Sequence, residues 1–516
     1  MNTAAALTRE ALLARLAEPK TWDVVVIGGG ATGLGCAVDA AARGYSTLLL
    51  EAHDFAKGTS SRATKLIHGG VRYLAQGNLP LVREALAERA LLLANAPHLV
   101  HPQRFVVPAY RWHEKPMLAA GLAMYDLLAG THGIERSRLL DAARTVAALP
   151  NVRTEGLRGG IAYWDARFDD ARLAVTLMRT LFDLGGLALN YAPVGDLLID
   201  EGKVTGVQVA DAERGTEYRV SARVVINATG VWADALRRRE RPQAAALLRP
   251  SQGVHLVVGR EFLPGDDAML VPKTEDGRVL FAIPWQGRVL LGTTDTPRAD
   301  LPLEPAPLDD EIGFILRTAA RYLRRAPAAA DVSSVFVGLR PLIGAGDASP
   351  TRGLSREHLI EVSPGGLVSI TGGKWTTYRR MGADAVEAAR SVAGLPARAE
   401  ATAGLRLHGA PAVPCSDVFG AEREAVDSLP GAGERVQDGL DLTAAEVRFA
   451  VRHELARTVE DVLARRHRAL FVDAALAVAA APRVAALMAE ELGCDADWAA
   501  HQVAAFGELA ARYKAV

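Results

Sequence analysis

Within six residues the chain sets out His68, Arg72 and Tyr73, a proton acceptor followed by a cation and a phenol on a short, glycine-containing polar stretch. Two further cations stand where the backbone fixes them. Arg340 closes the apolar run Val335-Phe-Val-Gly-Leu and precedes Pro341, which disfavours helical backbone at Arg340 and keeps the strand extended to its last residue. Lys374 follows Gly372-Gly373 at a helix start, where a cation is disfavoured by about 0.3–1 kcal/mol unless something anionic offsets it. An anionic substrate needs such cations, and a hydroxyl about to be oxidised needs a proton acceptor. Plainer readings stand beside these: an isolated histidine is often structural, and Arg340 serves equally well in a surface ion pair.

The elements that must position these groups begin with Asp23-Val-Val-Val-Ile-Gly28-Gly-Gly30-Ala-Thr-Gly33, followed after an Ala-rich helical stretch (Leu34 to Ala42) by Thr47-Leu-Leu-Leu-Glu51. This is a buried strand, a glycine turn, a helix and a second strand ending in a carboxylate. Gly28 permits the tight turn, Gly30 lets backbone approach a pyrophosphate, and Gly33 lets helix pack on strand. The phosphates then meet the positive end of the helix dipole, and Glu51 accepts from ribose hydroxyls. Glycines also serve ordinary turns, but here strand, helix and acid are all in register. His68 follows this unit and precedes two glycines that leave its ring uncrowded, as befits a functional loop on a rigid scaffold.

At 516 residues, 49% hydrophobic and 23% charged, the chain divides into two or more soluble globular domains. The balance of 59 Lys and Arg against 60 Asp and Glu gives no global field for nucleic acid. Cys36, Cys415 and Cys494 are too few and too scattered for a disulfide framework or a cysteine zinc site, and a reducing cytoplasm fits them. The N-terminus reads as an amphipathic helix, not a secretory signal. The most apolar window, Met117 to Ala129, is too short to cross a bilayer. With Trp112 and Lys115 it reads either as a helix packed on the protein's own core or as a partly inserted surface with a basic edge.

Further along, a helix is expected from about Pro80 to Asn95 and an amphipathic one from Arg167. Strands are expected at Val204 to Val209, Tyr218 to Val220 and Ala222 to Ile226, the last ending in Asn227-Ala-Thr-Gly230. Gly253 to Val258, Val279 to Pro284 and Arg288 to Gly292 suggest an antiparallel sheet facing the cofactor. A linker at about 404–414 leads to a separate all-α domain, with a Thr443/Glu446 capping box, a weaker Thr458/Asp461 version and a helix stop at Gly493.

From Ser60-Ser61 through Lys65-Leu-Ile-His68-Gly-Gly-Val-Arg72-Tyr73, the sequence closely resembles the FAD-dependent, quinone-linked glycerol-3-phosphate dehydrogenases. The likeness continues in order through Met124-Tyr125-Asp126, Asn227-Ala-Thr-Gly230, Gly292-Thr-Thr-Asp295, Gly338-Leu-Arg340-Pro-Leu and Gly372-Gly-Lys374 to Tyr378. Trp375 stands where a smaller aliphatic residue is common. The resemblance implies an α/β fold: an FAD-binding Rossmann-like domain of the glutathione-reductase/D-amino-acid-oxidase type (22–95, 159–240 and 338–395), an antiparallel-sheet substrate cap (96–158 and 241–337), a helical C-terminal domain (404–516) and an N-terminal extension (1–21). It implies FAD, held by Gly28, Gly30, Gly33 and Glu51 at the adenosine end and by Ser61, Lys65, Gly230, Gly373 and Thr376 elsewhere. His68, Arg72, Tyr73, Arg340, Arg356 and Lys374 would line the substrate pocket.

The activity so implied is hydride transfer from C2 of sn-glycerol 3-phosphate to flavin N5, yielding dihydroxyacetone phosphate. Arg340, Lys374 and Arg72 would hold the phosphate and His68 would take or relay the hydroxyl proton; Arg340 polarising the C2 oxygen is an open alternative. The partners implied are ubiquinone or a similar quinone and the cytoplasmic face of the inner membrane, bound peripherally, with a homodimer left open and no nucleic acid. Oxygen as electron acceptor, a flavin amine oxidase of the sarcosine or glycine oxidase type, and a flavin-binding regulatory protein are the competing readings.

Overall fold

The computed structural model describes residues 8–74, 77–271, 274, 279–344 and 357–515, with the side chains of Arg72, Tyr73 and Asp309 left out. In chain order the first strands are β1 (Thr21–Ile27), β2 (Thr47–Leu50), β3 (Leu66–Ile67), β4 (Val100–Ala109), β5 (Arg138–Leu140) and β6 (Gly159–Phe168). The next are β7 (Leu187–Leu189), β8 (Val194–Asp200), β9 (Lys203–Ala210), β10 (Glu217–Asn227), β11 (Ser251–Gly259) and β12 (Ala268–Val271). The last are β13 (Leu280–Trp285), β14 (Arg288–Gly292), β15 (Thr296–Pro297), β16 (Val332–Arg340), β17 (His358–Val362) and β18 (Val368–Gly372).

The first sheet runs β17-β18-β10-β1-β2-β7 and is parallel from β18 to β7, with β17 antiparallel at its edge and the β8–β9 hairpin added to β10. Val24 to Ile27 are buried, as a central parallel strand requires. The two stretches expected as separate strands at Tyr218 and Ala222 are one strand, β10, which pairs with β9 at its start and with β1 from Ser221 onward. The second sheet runs β15-β11-β14-β13-β12-β4-β6-β3, with β16 on β11 and β5 on β6. It is antiparallel except where β12 meets β4.

Two domain boundaries differ from the sequence reading. β6 belongs to the second sheet, not to the flavin-binding domain, because it pairs with β4 along its whole length, from Gly159–Ala109 to Phe168–Val100. The amphipathic helix after it therefore starts at Asp170, capped by Asp169, and not at Arg167. The N-terminal segment is integral to the first domain. Helix α1 (Arg9–Ala17) buries Leu12, Leu13 and Leu16 in the same core as β1, and its Arg9 meets the Asp211 carboxylate at 2.5 Å.

The C-terminal helices form the expected helical domain, which packs directly on the second sheet. Leu463, Phe471 and Val484 share one apolar cluster with Phe105, Tyr163, Trp285 and Phe336 of the second sheet. Val335 N donates to Tyr513 O at 2.7 Å and Ser334 Oγ to Leu470 O at 2.9 Å. The expected capping box is present, with Glu446 N on Thr443 Oγ1 and Thr443 N on Glu446 Oε2, and Gly493 ends its helix with φ +66°. A buried charge cluster ties this region to the loop after β2. Asp54 accepts from Arg465 Nε at 2.5 Å and from Arg466, and Lys57 bridges Glu304 and Glu460.

Beyond β2 and β3, helices α2 (Ala31–Ala42), α3 (Val71–Leu74), α4 (Leu79–Asn95) and α5 (Glu114–Ala129) complete the frame around the site. α5 has one packed and one exposed face. Leu122, Tyr125 and Ala129 are buried in the second core, while Met117 and Leu127 are 63% and 73% exposed and Trp112, just ahead, 81%. No helix among the described residues is long and apolar enough to cross a membrane.

Candidate active site

A cavity of about 1440 Å³ opens between the two sheets, larger than the ~300–1,000 Å³ of ordinary small-molecule sites. One end is the glycine turn. Gly28 has φ +109°, and a Cβ there would lie 2.6 Å from the Ala228 carbonyl of the neighbouring strand end, so only glycine fits. Gly33 lies behind the lining, where a Cβ would overlap the Gly28 carbonyl; helix and turn pack there as expected. Gly28, Gly30, Ala31 and Thr32 face the cavity at the N-terminus of α2.

Glu51 lines the same end, with its carboxylate accepting from Gly29 N at 2.6 Å and His53 N at 2.9 Å. Burial pushes its carboxyl up from the usual range, and those two N–H donors pull it back. Gly230, Gly373 and Thr376 also face the cavity; at Gly230, φ +61°, a Cβ would meet nothing within 4 Å. A glycine turn at a helix N-terminus, an acceptor for ribose hydroxyls and a long open cleft fit a dinucleotide of the size of FAD.

Two expected cofactor residues are turned away. Ser61 is buried, its carbonyl accepting from Lys65 Nζ at 2.8 Å and Arg468 Nη2 at 2.6 Å. Its neighbour Ser60 lines the cavity instead, its Oγ accepting from Ala31 N at 2.9 Å. Lys65 is fully buried beneath Trp285, Phe336 and Phe471, with Nζ 2.7 Å from Asp170 Oδ2. Burial pushes its ammonium down to about 7 although Asp170 beside it favours the charge. Lys65 therefore braces the loop and does not line the cleft.

His68, Arg340 and Lys374 line the same cavity. The turn that starts at Lys374 carries Thr376, whose Oγ1 accepts from His68 N at 3.3 Å and donates to His68 O at 3.4 Å. Arg340, at the end of β16, is held flat by its fork. Nη1 donates to Gln252 O and Asp295 Oδ1 at 3.1 and 3.2 Å, and Nη2 to Thr293 Oγ1 and Thr294 O at 3.0 and 2.9 Å. Arg72 and Tyr73 lie on α3, directly after the His68 loop. Arg356 and the side chains of Arg72 and Tyr73 are outside the described residues.

The sequence reading missed His255 and Asp165, both buried and both lining the cavity. His255 stacks on Phe336 at 4.8 Å, and its Nε2 lies 2.9 Å from Thr64 Oγ1. Burial, with Arg340 and Lys65 nearby, pushes its imidazole well below the ordinary range, so it stays neutral. Each sits in a strand buried along most or all of its length, where sequence does not tell a cavity wall from a core.

The family described as FAD dependent oxidoreductase matches residues 23–379, and the C-terminal domain of alpha-glycerophosphate oxidase matches 377–499. The mitochondrial glycerol-3-phosphate dehydrogenase of Homo sapiens is 38% identical over 535 residues, covering 95% of this chain and 73% of the relative. A solved glycerol-3-phosphate dehydrogenase from Bacillus halodurans, complexed with FAD, is 30% identical with a TM-score of 0.77, covering 98% of this chain and 97% of that one. A glycine oxidase from Geobacillus kaustophilus shares the fold alone, at 20% identity and a TM-score of 0.53 over 75% of this chain and 98% of that one. The cleft, the helical region behind it and these likenesses agree: the chain belongs to the FAD-dependent glycerol-3-phosphate dehydrogenases.

Proposed function

We propose that the protein oxidises sn-glycerol 3-phosphate at C2, with His68 as base, and passes the electrons to a membrane quinone. The observation that carries this reading is that His68, Arg340 and Lys374, from three distant segments, all line the cleft that the Gly28 turn also lines. The turn amides of α2 bind the cofactor's pyrophosphate, Glu51 its ribose, and Ser60, Gly230, Gly373 and Thr376 flank the remainder. FAD, when bound, supplies the hydride acceptor.

Arg340 and Lys374, with Arg72, bind the doubly charged phosphate and orient the C2 hydroxyl. The fork of Arg340 is already anchored by Asp295 and two backbone carbonyls, so little freedom is lost on binding. A ring nitrogen of His68 takes the C2 hydroxyl proton, and the Thr376 bonds hold its backbone in place for that transfer. The cations suit a phosphate better than the single carboxylate of an N-methyl amino acid, which argues against amine oxidation.

Anaerobic titration of the flavoprotein with glycerol 3-phosphate tests the reading: flavin absorbance should bleach with one equivalent, and N-methyl amino acids should leave it unchanged. His68→Gln should keep FAD bound and slow bleaching at least a hundredfold; near-normal bleaching would remove His68 as base.

The quinone and the membrane rest on α5. Trp112, Met117 and Leu127 present an apolar surface to solvent beside Arg111 and Lys115, suited to the interface of an anionic bilayer on the cytoplasmic side. Met117 and Leu118 also line the cavity, which gives an apolar acceptor an approach from that surface. Peroxide yield with and without a quinone analogue separates this acceptor from oxygen.

A further inference from the structure

Behind the His68 loop lies a polar cluster that takes no part in the scheme above. Gly69 N donates both to Tyr125 Oη at 3.0 Å and to Asp165 Oδ1 at 3.1 Å. The same Oδ1 accepts from Tyr125 Oη at 2.8 Å and from Arg89 Nη1 at 2.6 Å. One carboxylate oxygen thus gathers three donors from α4, α5 and the loop itself. Arg89 is fixed in turn by the carbonyls of Trp164 and His132, at 3.2 and 3.1 Å. Leu86 closes the space: a Cβ at residue 69 would lie 2.5 Å from its Cδ2 and closer still to Tyr125 Oη, so the loop has no slack.

His68 is therefore pinned on both sides, by Thr376 at its own peptide groups and by this cluster at the next amide. We infer that Tyr125, Asp165 and Arg89 are positioning residues that set the placement of His68 relative to the C2 hydroxyl. Tyr125 is the informative member: its hydroxyl accepts from the loop and donates to the carboxylate, so its removal leaves Gly69 N on Asp165 alone. A misplacement of about 1 Å costs about a hundredfold in rate where groups must be aligned.

The inference rests on His68 being the base, and a double-mutant cycle keeps the two claims apart. The rate of flavin reduction by glycerol 3-phosphate is measured anaerobically in the full-length holoenzyme for wild type, Tyr125→Phe, His68→Ala and the double variant, with FAD affinity and half-saturating substrate read alongside. Expected is a tenfold or greater fall for Tyr125→Phe at unchanged FAD affinity and little-changed half-saturation, and no further fall when it is added to His68→Ala. A full additional loss in the His68→Ala background, or a wild-type rate for Tyr125→Phe, overturns the positioning role. If His68→Ala itself reduces at the wild-type rate, the base reading fails first. Asp165→Asn, which keeps the shape of the acceptor, guards against a trivial folding defect: it should fall in rate and show the same non-additivity.

Discussion

Gly253 leaves the space that the Arg340 guanidinium occupies: a Cβ on residue 253 would lie 2.6 Å from Arg340 Cζ and closer to Nη2. Both the end of the Arg340 side chain and Thr293 Oγ1, at 2.6 Å, must yield, so Gly253→Ala should push the fork off Gln252, Thr293 and Asp295 at some cost in stability. The expected result is a fall of about a hundredfold in kcat/KM for glycerol 3-phosphate, with a protein that still folds and binds FAD.

Arg340→Lys tests the fork itself. A lysine keeps the charge but cannot reach the four oxygens on which the guanidinium now rests. Half-saturating glycerol 3-phosphate should rise at least tenfold while FAD affinity, read by flavin fluorescence, stays put.

The buried charge cluster gives the protein an acid limit. Burial opposes ionisation of Asp54, yet Arg466 and Arg465 hold its carboxyl down to about 2; Arg465 and Lys57 do the same for Glu460 against its burial. Both folded-state values lie below the ordinary carboxylate range, so this stabilisation is complete above about pH 4.5 and is lost as pH falls towards 2. Urea midpoints should drop between pH 5 and pH 3. Asp54→Asn should cost about 3 kcal/mol at pH 7, because it takes the carboxylate from buried Arg466 while Arg465 keeps Glu460 and Asp461, and should flatten part of the acid slope.

Trp112→Gln with Leu127→Gln tests the outer face of α5. Burial of a leucine-sized side chain contributes about 1.5–3 kcal/mol, so co-flotation with phosphatidylserine-containing vesicles should weaken tenfold or more. Anaerobic flavin reduction by glycerol 3-phosphate should be unchanged, because neither residue lines the cavity.

What could be read from sequence follows the range of the signals. Gly28, Glu51 and Lys374 were legible because each carries a local mark: a turn, a strand end, a cation at a helix start. Arg340 had Pro341 after it. His255 and Asp165 carry no such mark, since their roles depend on which neighbouring strands leave a gap. Ser60 and Ser61 differ only in register on one tight turn, which composition does not fix. The placement of β6 with β4, and of Phe471 under Phe336, are long-range choices made by whole faces of sheet. Tyr125 was visible only as part of a familiar stretch, and its bond to Gly69 is a matter of tertiary packing.

The pairing of Asp54 with Arg465 spans 411 positions of chain. At about 5–20 residues per second a ribosome needs roughly 20–80 s between the two. Throughout that interval the loop after β2 carries a carboxylate whose folded setting is wholly buried and whose counter-charges do not yet exist. The loop after β2 cannot reach its folded setting until Arg465 and Arg466 have been made. Chains truncated before Arg465 should therefore leave Asp54 without these two arginines and hold the loop after β2 poorly ordered.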